Sequence, residues 1–182
     1  RDALPILINN VIIPALNRVG KDYETNKIFL PQLIQSAETT KKAFEVVKST
    51  FRVDSQSKGP IMMCTVEGDI HDIGKNIVKV VLESYGYQVI DLGKDVKVER
   101  VVEAYHKYQP KMIGLSALMT TTVVNMKKTI EALHKVNCQC PIWVGGAVLT
   151  QEIADEIGAD YYSEDAMASV TLLNHIFDER GG

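Results

Sequence analysis

Apolar residues in the first fifty positions recur at helical spacing. Between residues 4 and 19 they fall three or four positions apart, which places them on one face of a helix. Pro14 interrupts that face and is expected to kink or split the helix, because proline has no main-chain N–H to donate. Gly20 and the polar residues 21–27 are expected to end it, and Pro31 favours the first turn of a second helix. The apolar stripe of that second helix consists of Leu33, Ile34, Ala37, Phe44 and Val47.

A polar segment separates these helices from a different pattern. Residues 52–60, RVDSQSKGP, have no apolar face and end in glycine and proline, which predicts a linker. Five short apolar runs then alternate with amphipathic stretches. The runs cover residues 61–66, 88–92, 112–117, 141–144 and 160–163. The helices between and after them are predicted over residues 75–85, 97–108, 121–136, 151–157 and 165–177.

This alternation predicts the α/β fold class. A strand followed by a helix, five times over, is typical of a parallel sheet covered by helices on both faces. Right-handed crossovers leave few topologies, and the flavodoxin-like (Rossmann-like), doubly wound five-stranded sheet fits this length. In such a sheet the ligand site lies beyond the carboxyl ends of the strands.

Composition narrows the class of partner. The 182 residues are 46% hydrophobic and 24% charged, which is ordinary for a globular chain with a real core. The net charge of −3 argues weakly against nucleic acid or an anionic membrane as a partner. Without a membrane-length apolar run or a signal peptide, and with only three cysteines, we expect a cytoplasmic protein. Arg1 stands at the edge of a helical pattern, so we expect a fragment of something longer.

Two of the three cysteines could form a metal site in principle. Cys138 and Cys140 flank a single residue, but no third and fourth ligand stands near them in the sequence. Because zinc sites in proteins use four ligands, or three and a water, a metal is not expected there.

Unusual polar residues fall where the predicted strands end. Residues 67–76 follow the first strand, residues 116–122 follow the third, and residues 145–147 follow the fourth. All three loops should open on the same edge of the sheet. Together they offer an imidazole, carboxylates, hydroxyls and glycines that let a ligand approach the backbone.

Asp69 and His71 are spaced so that the two side chains can face the same way in an extended loop. A carboxylate that accepts a hydrogen bond from one imidazole nitrogen makes the other nitrogen a better metal ligand. A hydroxyl from Ser116, Thr120 or Thr122 could bond the carboxylate in turn. By itself a loop histidine more often faces solvent than binds a metal, but one imidazole suffices as an axial ligand to a metal held by a macrocycle.

Three elements together resemble a known signature. Asp69-x-His71-x-x-Gly74, Ser116-x-Leu118 and Gly145-Gly146 resemble the motif of cobalamin-binding domains of the base-off, His-on type. The string GDIHDIGKNIV at residues 68–78 is similar to the methyltransferase branch of that family. Residues 27–38, KIFLPQLIQSAE, resemble the helical cap of cobalamin-dependent methionine synthase, which covers the upper face of the corrin.

The resemblance implies a domain plan of a helical-bundle cap at residues 1–51, a linker at 52–60 and a cobalamin-binding domain at 61–182. The cap would lack its first helix. The implied cofactor is cobalamin, in its methylcobalamin form.

The resemblance also assigns roles to single residues. His71 would be the axial ligand to cobalt, and Asp69 and Thr122 would complete a relay behind it. The cofactor would contact the first loop and the cap, through Gly68, Asp69, His71, Asp72, Ile73, Gly74, Phe29 and Leu33, with Phe29 and Leu33 shielding the upper face. Its nucleotide tail would contact Ser116 and Thr120 and enter a slot at Gly145, Gly146, Tyr162 and Ala166. Leu118 would also contact the cofactor. Without a cofactor, Phe29 and Leu33 would simply be core of a helix pair, and the two glycines a strand-end turn.

The implied activity is methyl transfer from methyltetrahydrofolate to homocysteine, as the cofactor module of a methionine synthase. The implied partners are the methyltetrahydrofolate-binding, homocysteine-binding and reactivation domains or subunits. An alternative is a stand-alone corrinoid protein of a methanol, methylamine or aryl-ether methyltransferase system. Adenosylcobalamin mutases should lack this cap. A receiver-like signalling module needs a phosphorylatable aspartate where this chain has Ser116.

Overall fold

Two helices precede the sheet in the computed structural model, which describes residues 8–51 and 59–179. A π-helical turn, Ile8–Ile12, leads into α1 (Ile13–Glu24), and α2 spans Leu30–Phe51. Pro14 stands in the first turn of α1, directly after the π-helical turn, and the helical backbone continues through it. The chain is therefore not split at Pro14, and the predicted kink stays a prediction. Leu4, Leu7 and most of the predicted linker, residues 52–58, lie outside the described residues, as do the side chains of Phe44 and Val47.

The prediction that Gly20 helps to end the first helix is wrong. Helix α1 continues through Gly20 to Glu24. Gly20 is buried, and a Cβ placed on it would lie 2.3 Å from the terminal methyl carbon of Met167. Close packing, not a turn, therefore explains this glycine.

Five parallel strands form the sheet, in the order β2-β1-β3-β4-β5. The strands are β1 (Pro60–Thr65), β2 (Gln88–Asp91), β3 (Met112–Ser116), β4 (Ile142–Gly145) and β5 (Tyr161–Tyr162). The helices after them are α3 (Ile73–Ser84), α4 (Val98–Tyr108), α5 (Val123–Lys135), α6 (Gln151–Ile157) and α7 (Ala166–Glu179), with a 3₁₀ turn at Thr120–Thr122. The predicted α/β fold with a five-stranded parallel sheet is confirmed, and most predicted element ends lie within two residues of the observed ones.

The two faces of the sheet bury separate cores, as the alternation of side chains along a strand requires. Met62 and Cys64 of β1 join the core beneath α4, α5 and α6. Ile61 and Met63 point to the other face, where α3 and α7 pack. Leu16 and Leu33, the most buried apolar residues of α1 and α2, belong to that second core.

The first two helices therefore lie against α3 and α7. Polar contacts add to the apolar ones: the Tyr85 hydroxyl donates to Asn17 Oδ1 at 2.9 Å, and Lys41 Nζ lies 2.6 Å from Glu83 Oε2. The division into residues 1–51, 52–60 and 61–182 stays a prediction. Within the described residues, no helix is long and apolar enough to cross a membrane.

Candidate functional site

A tight turn after β1 sets the geometry of the first loop. Gly68 has a φ of +84°, which glycine adopts without steric cost, and its N–H donates to Asp95 Oδ1 at 2.7 Å. The Asp69 N–H donates to the Val66 carbonyl at 3.1 Å. This turn directs Asp69 inward, where it is fully buried, and leaves the next residues on the surface.

The Asp69 carboxylate accepts hydrogen bonds on both oxygens. Oδ1 receives the main-chain N–H of His71 at 3.0 Å and lies 2.8 Å from its Nδ1. Oδ2 receives the N–H groups of Leu118 at 2.7 Å and Met119 at 3.2 Å, and the hydroxyl of Thr122 at 2.8 Å. One buried carboxylate thus ties the loop after β1 to the loop after β3.

These hydrogen bonds fix the charge of Asp69. Burial alone would raise the pKa of its carboxyl, but the donors from His71, Leu118 and Thr122 hold that pKa well below its ordinary value of 3.8. An ionised carboxylate only accepts, so His71 Nδ1 donates to it. In neutral imidazole the other nitrogen, Nε2, then carries a lone pair. Since the His71 side chain is 45% exposed, that lone pair is open to a ligand.

Sequence reasoning left three hydroxyls open for the bond to Asp69, and the structure shows which one makes it. Thr122 is buried and bonds Asp69. Ser116 Oγ instead lies 2.9 Å from Thr65 Oγ1, and Ser116 lines a cavity. Thr122 therefore completes the hydrogen-bonded chain from His71 through Asp69.

A cavity of about 670 Å³ opens beside His71, within the range of cofactor pockets. Its floor comes from β1, β3 and β4, one wall from α3 and another from the start of α7. Tyr23, Leu30 and Leu33 of the first two helices complete it. The predicted site residues that line it are Leu33, His71, Asp72, Ile73, Gly74, Ser116, Leu118, Gly145, Gly146 and Ala166.

Glycines shape this cavity in two ways. Gly146 has a φ of +137°, and a Cβ there would lie 1.9 Å from the Ala117 carbonyl oxygen, so no other residue fits. A Cβ on Gly74 would meet nothing within 4 Å, which leaves room in the cavity wall. The first glycine permits close approach of two loops, and the second leaves space for a ligand.

Apolar side chains surround His71 although they face solvent. Ile70 is 61% exposed, Ile73 is 77% exposed and Leu118 is 42% exposed. Three large apolar groups around one exposed imidazole form a surface that a flat, largely apolar ligand would cover.

Sequence reasoning missed a buried ion pair in the cavity wall. The Lys75 side chain is 1% exposed, and its Nζ lies 2.6 and 2.7 Å from the two oxygens of Asp91, the last residue of β2. Burial would raise the pKa of the Asp91 carboxyl, but hydrogen bonds from Lys75 and the Gly93 N–H hold it below its ordinary value. The available signals were a lysine in the first turn of α3 and an aspartate at a strand end.

Several predicted residues lie away from the cavity. Phe29 is 71% exposed and does not line it, because it precedes the first residue of α2 and its N–H is bonded to Gln32 Oε1 at 2.6 Å. Tyr162 does not line it either, since its hydroxyl donates to the Leu149 carbonyl at 3.1 Å. Gly68, Thr120 and the buried pair Asp69 and Thr122 also lie outside the lining.

Comparison with protein families gives two matches of the same kind. Residues 59–171 match a family described as the B12 binding domain. Residues 2–48 match a second family with the same description.

The chain is similar to corrinoid proteins and to cobalamin-binding proteins. The chain is 39% identical over 174 residues to dimethylamine corrinoid protein 2 of Methanosarcina mazei, covering 93% of this chain and 81% of that protein. A chain of the methanol:cobalamin methyltransferase complex MtaBC from Methanosarcina barkeri superposes with a TM-score of 0.83 at 32% identity, covering 96% of this chain and 68% of that one. A cobalamin-binding protein from Desulfitobacterium hafniense DCB-2 also superposes with a TM-score of 0.83. It is 30% identical, and the match covers 96% of this chain and 83% of that one.

Proposed function

This chain belongs to the B12-binding domain family, and from that premise we propose that it is a corrinoid protein that carries a methyl group between subunits of a methylamine or methanol methyltransferase system. Cobalamin is its cofactor. The names of the similar proteins, a dimethylamine corrinoid protein and a methanol:cobalamin methyltransferase complex, support this alternative better than the methionine synthase assignment.

The observation that carries the proposal is the chain of hydrogen bonds from His71 through Asp69 to Thr122. It leaves one imidazole nitrogen exposed at the mouth of a large cavity, among apolar groups. That donor set suits a metal already held in a macrocycle, because a single imidazole holds a free ion poorly. Within the described residues, no group of three or more His, Cys, Asp or Glu side chains could hold a metal ion alone.

Cobalamin, when bound, supplies a cobalt centre that accepts and releases a methyl group. His71 would bind its cobalt, and the apolar groups Ile70, Ile73 and Leu118 would contact the corrin ring. The cavity beside them would take the nucleotide tail, between Ser116, the two glycines at the end of β4, and Ala166. Leu33, with Tyr23 and Leu30, would cover the upper face.

Asp69 would do two things for His71. It holds Nδ1–H, so that the imidazole presents Nε2 in the correct tautomer. It also carries a negative charge beside the imidazole, which would favour the charged form of His71. Thr122 fixes the second carboxylate oxygen and keeps the Asp69 side chain in one orientation.

The proposal is tested in two steps. The purified chain is loaded with hydroxocobalamin, and its absorbance is compared with that of His71→Ala and of a matched control, His106→Ala, on the exposed face of α4. We expect an altered spectrum only for His71→Ala. The loaded protein is then reduced to the cobalt(I) state with a low-potential chemical reductant and given purified methyltransferases for methanol, for methylamines, and for methyltetrahydrofolate and homocysteine.

Methylation by a methanol or methylamine enzyme is the expected result. Turnover only with the methyltetrahydrofolate and homocysteine enzymes would instead establish the methionine synthase assignment. Identical spectra for His71→Ala and wild type would exclude His71 as the axial ligand.

A further inference from the structure

At the edge of the sheet opposite the cavity, two thiols lie side by side. Cys138 Sγ is 3.4 Å from Cys140 Sγ, and both side chains are partly exposed. They precede β4, whose other end, Gly145, lines the cavity. The pair therefore stands apart from the proposed cofactor site.

From this geometry we propose that Cys138 and Cys140 form a redox-active dithiol, which closes reversibly to a disulfide by exchange with a low-molecular-weight disulfide such as oxidised glutathione.

The backbone around the pair is fixed on every side. The Cys138 N–H donates to the Leu133 carbonyl at 3.0 Å, and the Gln139 N–H donates to the Tyr105 hydroxyl at 3.2 Å. The Ile142 N–H donates to Asp160 Oδ2 at 2.7 Å. These bonds hold the two sulfurs together, so closing the disulfide requires little loss of chain entropy.

Reagents can reach the pair through a small pocket of about 210 Å³. Its lining residues are His134, Cys138, Gln139, Cys140, Pro141, Asp160 and Tyr161. The third cysteine is a contrast, because Cys64 is 1% exposed and burial raises its pKa to about 12. Its thiolate is therefore scarce, and Cys64 should be inert.

The two thiols of the pair are not equivalent. The hydrogen bond from Cys140 lowers the pKa of Cys138 to about 7, although burial and the charge of Asp160 act against it. The same interaction, with burial, raises the pKa of Cys140. Near neutral pH, Cys138 is then the thiolate that attacks and Cys140 the thiol that resolves. The titratable groups that face the pair are Tyr105, His134, Asp160 and Tyr161.

The exchange balances in two steps. The Cys138 thiolate attacks one sulfur of the external disulfide, forms a mixed disulfide and releases one thiolate, which takes a proton from solvent. Cys140 then loses its proton and attacks Cys138 Sγ, which forms the Cys138–Cys140 bond and releases the second thiol. The protein dithiol is oxidised by two electrons, and the external disulfide is reduced to two thiols.

The experiment uses the full chain, equilibrated over a series of reduced-to-oxidised glutathione ratios, quenched with acid, alkylated and mapped by mass spectrometry. We expect a Cys138–Cys140 disulfide that forms and reopens with the ratio, while Cys64 remains a thiol. At pH 7, Cys138 should be alkylated at least about tenfold faster than Cys64.

Two variants at Cys140 separate the pKa of Cys138 from disulfide closure. Cys140→Ser keeps a hydroxyl donor, so Cys138 should retain its low pKa but stop at the mixed disulfide with glutathione. Cys140→Ala loses the donor, and the alkylation rate should titrate nearer the ordinary thiol pKa of 9.0. The proposal is overturned if wild type also stops at the mixed disulfide, or if both thiols stay alkylatable at every ratio.

Discussion

Two carboxylates, one buried and one partly buried, stand where neighbouring strands end, and they are held in different ways. Asp69 follows β1, and Asp91 ends β2. Hydrogen bonds hold the pKa of both below the ordinary value, against the effect of burial. Asp91 is neutralised by the ammonium of Lys75, which is itself buried. Among the described residues no lysine or arginine pairs with Asp69, and its donors are N–H groups, a hydroxyl and an exposed imidazole.

This difference indicates that Asp91 has a structural role, whereas Asp69 can take part in chemistry. The charge of Asp91 is balanced inside the protein, so the pair joins α3 to β2 and offers nothing to a ligand. The charge of Asp69 is not balanced by a buried ammonium, and its only side-chain partner at the surface among the described residues is the His71 imidazole. The position of the titratable partner, exposed in one case and buried in the other, therefore identifies the carboxylate that can take part in a reaction.

Breaking the buried pair should have the largest effect on the fold. Lys75→Met leaves the partly buried Asp91 carboxylate without its main partner, and we expect a loss of about 3 kcal/mol in the free energy of unfolding. Urea denaturation measures it. Lys79→Met is the matched control, because Lys79 Nζ lies 3.7 Å from Asp91 and its side chain is 32% exposed. Equal losses in both variants would contradict the role given to Lys75.

Asp69→Asn should lower the free energy of unfolding by about 2 kcal/mol, which is somewhat less than the loss in Lys75→Met. The reason is that one side-chain oxygen becomes an NH₂ group that faces N–H or O–H donors. The same denaturation experiment measures this loss. Asp72→Asn is the control, since it removes a charge from the same loop and the Asp72 side chain makes no capping hydrogen bond. A loss as small as in the control would mean that the bonds to Asp69 contribute little to stability.

Lowering the pH should reduce the difference in the free energy of unfolding between wild type and Asp69→Asn. Because the folded-state pKa of Asp69 is lowered, its carboxylate contributes stability that is present above the ordinary value of 3.8 and is lost as pH falls through the folded-state pKa. Asparagine does not titrate there. Stability curves of the two proteins should therefore approach each other below about pH 4. Parallel curves down to pH 2 would show that Asp69 is not the group responsible.

The sequence predicts the sheet better than the contacts at its edge. Strand and helix alternate clearly along residues 61–177. The period of the apolar residues and the length of each run were therefore enough to predict the sheet. The prediction that Gly20 helps to end α1 was wrong, because the sequence alone does not distinguish a glycine that packs against Met167 from a glycine that ends a helix. The pair Lys75 and Asp91 joins a helix to a strand, and one sequence carries no signal that the two meet.

The candidate site shows the same limit. Three loops with polar residues at strand ends predict where Asp69 and His71 meet, because parallel strands present their ends at one edge. Which hydroxyl completes the chain depends on the 3₁₀ turn that carries Thr122, and local propensity does not specify it. The orientation of Phe29 depends on where α2 begins, and helix ends are the least predictable feature of a helix.

A smaller effect is expected at Thr122. Thr122→Val removes the hydroxyl that bonds Asp69 Oδ2 and the Met119 carbonyl. We expect this to lower the free energy of unfolding by about 1 kcal/mol. Thr122→Ser keeps the hydroxyl and should recover most of that loss. Thermal unfolding of both variants distinguishes the hydroxyl from the methyl group. If serine is as destabilising as valine, packing of the methyl group, not the bond to Asp69, explains the residue.

Substituting His71 should have the smallest effect on the free energy of unfolding, whereas substituting Lys75 should have the largest. His71→Ala removes a side chain that is 45% exposed, and its loss should change the free energy of unfolding by about 0.5 kcal/mol or less. The fold would then be almost indifferent to this residue while the cofactor is not. In the cobalt(II) form of the loaded protein, nitrogen hyperfine coupling from an axial imidazole should be present in wild type and absent in His71→Ala, with cofactor still bound through the cavity. Coupling that survives in the variant would mean that the nitrogen comes from another group, and the contrast between the two carboxylates would then have no chemical meaning.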